Sequence, residues 1–67
     1  MTVITDMKQT MANLKSAQAN FETFALSTNN QEAKKLYEQA AKQTQSIIDS
    51  ITPRIQMIEQ EEPQYRQ

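Results

Sequence analysis

The chain has no glycine, no cysteine, no histidine and no tryptophan in 67 residues. Each absence excludes something. Glycine makes up about 7% of an ordinary sequence, and tight hairpins between strands rely on it for positive φ. A chain with none is expected to be helical with few turns. Without cysteine there are no disulfides and no thiolate metal sites. Without histidine the usual general base and the commonest transition-metal ligand are missing. Charge of one sign is lacking too. Seven Lys and Arg against eight Asp and Glu leave a formal net charge of -1. That balance offers no electrostatic footprint for nucleic acid or an anionic membrane surface. No apolar run approaches the roughly 18 residues that span a bilayer. The opening "MTVITDMKQT" has neither a basic n-region nor an apolar h-region, so no secretion signal is read. The expectation is a cytoplasmic, all-α protein that inserts in no membrane and binds no nucleic acid.

What is present is amide and periodicity. Ten glutamines and four asparagines separate a sparse set of apolar residues. In the first half these fall at Ile4, Met7, Met11, Leu14, Phe21 and Phe24 or Ala25. Steps of three, four and seven mark one side of a helix, close to a heptad seam. The skipped step is at Gln18. The second half carries Ala33, Leu36, Tyr37, Ala40, Ala41, Thr44, Ile47, Ile48, Ile51, Ile55 and Ile58 at the same spacing. Two helices are predicted, over about 3–28 and 30–61, with a turn near 28–30 and a frayed tail at 62–67.

The turn is read from "FALSTNNQEAKKLY". Asn29 can cap the second helix through the amide of Glu32, with Glu32 reaching back. Thr28 with Gln31 offers the same device one residue earlier. Asparagine also tolerates the left-handed conformation that often ends a helix. At the amino end, Thr2 or Thr5 can cap the first helix, with Asp6 in its first turn. The competing reading is one uninterrupted helix. No charged heptad seam continues through residues 27 to 31, which favours the turn.

An antiparallel hairpin sets Phe21 and Phe24 against Leu36 and Tyr37. It sets Ala17 against Ala40, Ala41 and Thr44, and Leu14 and Met11 against Ile47, Ile48 and Ile51. Ile4 and Met7 then meet Ile51 and Ile55. Large faces large and small faces small, which leaves few voids. Pro53 removes a donor and clashes with the carbonyl of Asp49. It either kinks the second helix or starts a third one capped by Thr52. The kink keeps Ile51, Ile55 and Ile58 in phase and is preferred. Two helices cannot cover both sides of these stripes. A homodimer forming a four-helix bundle would, and below roughly 70 to 80 residues one core seldom supplies more than about 3–5 kcal/mol.

No residue set announces catalysis. Glu59, Glu61 and Glu62 could hold a hard cation, but they lack a loop of converging oxygens and read as a solvated helix end. Glu22, Glu32 and Glu38 are far apart. Lys34, Lys35 and Lys42 make a small basic patch, by default solvated. Arg54 has its acidic neighbours Asp49 and Glu59 five positions away, outside helical pairing range. Met7, Met11 and Met57 read as gap-fillers. Tyr65 is a candidate contact residue in the tail. Gln9, Thr10, Asn13, Ser16, Asn20, Thr23 and Ser27 make an uncharged polar face on helix one that could pack on another protein. Neither an enzyme nor a cofactor is expected.

Four segments in order carry a resemblance: "MKQTMANLKSAQANFETFAL", "NQEAKKLYEQAAKQTQ", "DSITPR" and "IEQEEPQY". Together they resemble domain of unknown function 1657, a small family of endospore-forming bacteria. The resemblance runs from Met7 to Tyr65. It brings no catalytic residues. It implies a setting, since the family's genes lie with sporulation genes, notably those for the spore inner-membrane channel that moves dipicolinic acid. Related domains are attached to spore membrane proteins. The expected role is a non-enzymatic interaction protein of the sporulating cell or spore interior, with a spore membrane protein as possible partner. The alternative is a binder of calcium or dipicolinate, using the lysines or the acidic tail.

Overall fold

The computed structural model describes residues 3–61. They form two helices, α1 (Val3–Ser27) and α2 (Gln31–Glu61), packed antiparallel as a hairpin. The expected boundaries hold within a residue, and the single uninterrupted helix is excluded. The tail, with Glu62 and Tyr65, and the expected cap Thr2 lie outside the described residues. Thr5 sits inside α1.

The turn differs from the reading in one place. The cap of α2 is Asn30, not Asn29: its Oδ1 accepts the amide of Ala33 at 2.9 Å. The spacing from cap to third residue is as expected, shifted by one. Position 33 is alanine, so no side chain returns the bond and the reciprocal capping box is not made. Glu32 still stands in the first turn of α2, where a negative charge suits the helix dipole. The Thr28 amide donates to the Phe24 carbonyl at 3.0 Å, and the Asn30 amide to Thr28 Oγ1 at 3.2 Å. Among the described residues none has positive φ. The chain therefore reverses without the left-handed residue expected of asparagine.

Pro53 lies inside α2, and the helix continues past it. A third helix capped by Thr52 is ruled out. The Thr52 hydroxyl instead donates to the Ile48 carbonyl at 2.7 Å, a back-bond of the kind that accompanies a bend.

The hairpin's centre is narrow. Ile4, Met11, Ile48 and Ile55 form the buried cluster, with Met7, Leu14, Ile51 and Ile58 packed against it. Toward the turn, Ala25, Ala41 and Thr44 are buried. The hydroxyl of Thr44 is satisfied by the Ala40 carbonyl at 2.8 Å. Phe24 and Tyr37 meet with ring centroids 5.6 Å apart and planes inclined at 58°. The molecule is one layer of helix, with principal extents of 50 × 19 × 11 Å.

Candidate functional site

In a one-layer hairpin each helix touches its neighbour along only part of its apolar stripe. The residues read as core divide accordingly. Ile4, Met11, Ile48 and Ile55 are buried. Met7, Leu14, Phe21, Tyr37, Ala40, Ile51 and Ile58 are half-buried. Phe24, Leu36 and Ile47 are 47%, 62% and 46% exposed, so a single hairpin does not bury them. Met57, read as a gap-filler, is 48% exposed. It lies nine positions after Ile48, two and a half turns on, which puts it on the opposite side of α2. Val3 and Leu26, exposed at 63% and 82%, were missed because neither belongs to the stripe that defines α1. The two line grooves on different broad faces, so no common spacing signals them.

Shallow grooves run along both broad faces. On one face, Val3, Asp6, Met7, Thr10, Met11 and Ile51 line a groove. Beside it Val3, Arg54, Ile58 and Glu61 line another. The other face has Lys8, Ala12, Lys15 and Thr52 around one groove. Nearer the turn it has Glu22, Leu26, Glu38 and Lys42 around a second. Both faces carry charge of both signs: Asp6, Arg54 and Glu61 on the first, and Lys8, Lys15, Glu22, Glu38 and Lys42 on the second, where Met11, Ala25, Ala41 and Ile55 also line the grooves.

The polar candidates are placed as follows. Lys34 and Lys35 are consecutive and point about 100° apart around the helix. Lys35 and Lys42 are seven positions apart and share a side of α2, where Lys42 also stands with Glu22 and Glu38. Glu59 pairs with Lys8 across the hairpin, which ties α2 to α1 and occupies the carboxylate. Glu22 accepts from Gln18 at 3.4 Å. Gln9, Thr10, Asn13, Ser16, Asn20, Thr23 and Ser27 are all exposed. Several of these polar groups turn back on their own helix: Gln9 donates to Asn13 at 3.2 Å, Thr10 to the Asp6 carbonyl at 2.9 Å, and Ser27 to the Phe24 carbonyl at 3.3 Å. Arg54 is exposed, as expected. Among the described residues no three His, Cys, Asp or Glu side chains gather as a metal site, and no helix is long and apolar enough to cross a membrane.

The fold defines a class: a single-layer helical hairpin whose surface chemistry lies on two broad faces. Residues 7–55 match the family described as Protein of unknown function (DUF1657), and the chain belongs to that family. No curated protein and no solved structure matches the chain.

Proposed function

We propose that the protein is a non-enzymatic helical interaction module of the sporulating cell or spore, acting through protein–protein contacts made by its broad faces. The observation that carries this reading is the uncovered apolar surface. Among the described residues six large hydrophobics stand exposed, from 46% to 82%, on a molecule only one helix layer thick. Four of them, Val3, Phe24, Leu36 and Ile47, fall on one broad face, and exposed apolar surface gathered on one face marks an interaction site. The setting comes from the family resemblance, which also makes a component of the spore inner-membrane channel the candidate partner.

Photo-crosslinking tests it in sporulating cells. A crosslinking amino acid is placed at Gln43 on the face of Ile47 and, separately, at Lys42 on the opposite one. An adduct with a channel component is expected at Lys42, whatever Gln43 meets. Self-adducts alone, or none, would overturn the proposed role. The ligand reading is tested by calorimetry with calcium dipicolinate. Millimolar binding lost on substituting Lys34, Lys35 and Lys42 would replace the interaction role with a binding one.

A further inference from the structure

Seven-residue spacing sorts the exposed residues by face. Val3, Thr10, Ala17 and Phe24 recur every seven positions on α1. Ala33, Ala40 and Ile47 do so on α2, and the line runs on to Arg54 and Glu61. Positions seven apart drift by only about 20° around a helix. Because Val3 shares a groove with Arg54, Ile58 and Glu61, the two lines border the same broad face. Leu36 precedes Ile47 by eleven residues, about three turns, and joins that face. Four of the six exposed large hydrophobics, Val3, Phe24, Leu36 and Ile47, therefore lie together. The half-buried Met7 and Ile51 line its grooves.

The charges on this face are confined to one end. Asp6 stands on the α1 border and Arg54 on the α2 border, next to Glu61. Among the described residues neither the Asp6 carboxylate nor the Arg54 guanidinium has a partner within the hairpin.

We propose that this face docks a second copy of the chain, face to face, about a two-fold axis parallel to the helices. That axis lays α1 of one hairpin on α2 of the other with like ends together. Asp6 then faces the partner's Arg54, and Arg54 the partner's Asp6, so symmetry makes the pair twice. Phe24 meets the partner's Leu36 at the turn end. The partner's Glu61 comes to the amino end of α1, where the helix dipole is positive. A two-fold axis perpendicular to the helices would stack α1 on α1. It would set Asp6 over the partner's apolar turn end with no opposite charge, a costly arrangement. Charge complementarity selects the parallel axis. The opposite face, with Lys15, Glu38 and Lys42, stays outside.

Two variants test the geometry, Asp6→Arg and Arg54→Asp, both at exposed positions. Helix content by circular dichroism checks that each still folds. Alone, each variant brings like charges together twice and is expected to dimerise about tenfold more weakly than the parent at low salt, the loss fading in high salt. Mixed in equal amounts they complement each other, and native mass spectrometry is expected to show predominantly the mixed dimer. Parent and variant dimers of equal strength, with statistical mixing, would overturn the axis. A parent chain that stays monomeric to millimolar concentration would overturn the docking itself.

Discussion

The amide of Ala33 has its partner outside the helix ladder, in the side chain of Asn30. An Asn or Asp cap is worth about 1 kcal/mol against alanine. Asn30→Ala is therefore expected to lower the urea midpoint by an amount equal to about 1 kcal/mol with an unchanged slope. Asn29→Ala, which removes no cap, should change stability by less than about 0.5 kcal/mol. Equal losses from the two would refute the assignment. The Lys8–Glu59 pair is a weaker prop. Its side chains are 60% and 34% exposed, and exposed pairs contribute about 0–1 kcal/mol. Glu59→Gln is expected to cost less than about 1 kcal/mol, and nothing measurable in 1 M salt. At this scale the sequence was only partly legible. The run of capping residues located the turn, but Thr28, Asn29 and Asn30 all have side chains able to cap. Which one does so depends on where the ladder of α1 stops.

At the scale of the element, periodicity carried most of the information. The three-and-four spacing of Ile48, Ile51, Ile55 and Ile58 placed α2 and its inward side, despite the β-branched preference of isoleucine for strands. What spacing could not separate was the central line of a stripe from its border. Ile47 and Ile48 are adjacent and chemically identical, yet one is 46% exposed and the other 5%. Only the packing angle of the two helices decides between them. Ile48→Ala should cost about 2–5 kcal/mol as a buried truncation, read by chemical denaturation. Ile47→Ala should cost the fold of one hairpin far less and act mainly on association. Pro53 gives the sharpest test of α2. Its ring denies the helix one donor and crowds the Asp49 carbonyl. Pro53→Ala is expected to raise stability by about 1–3 kcal/mol and the melting temperature with it. An unchanged or lower melting temperature would mean that the geometry at Pro53 is needed to seat Ile55 and Ile58.

The whole molecule departs from the shape of a free-standing domain. Its radius of gyration is 15.4 Å, where a compact chain of this length would have about 11 Å. Thickness is the dimension it lacks. The apolar stripes are wider than one helix–helix contact, and that excess was visible in the sequence as stripes two helices cannot cover. The face it falls on, and the positions of Asp6 and Arg54 at its end, required the grooves of the folded chain. Face-to-face docking adds one layer about 8–10 Å away. Small-angle scattering should then show a doubled mass with a radius of gyration only about 1 Å larger than that of one hairpin.

The most direct measurement is the mass of the parent chain in solution, by size-exclusion chromatography with light scattering across a concentration series. A particle of about 15 kDa, twice the 7.7 kDa of one chain, persisting to micromolar concentration is expected if the apolar face is covered by a second copy. A mass of one chain at every concentration would contradict it, and would leave Val3, Phe24, Leu36 and Ile47 open to a different partner.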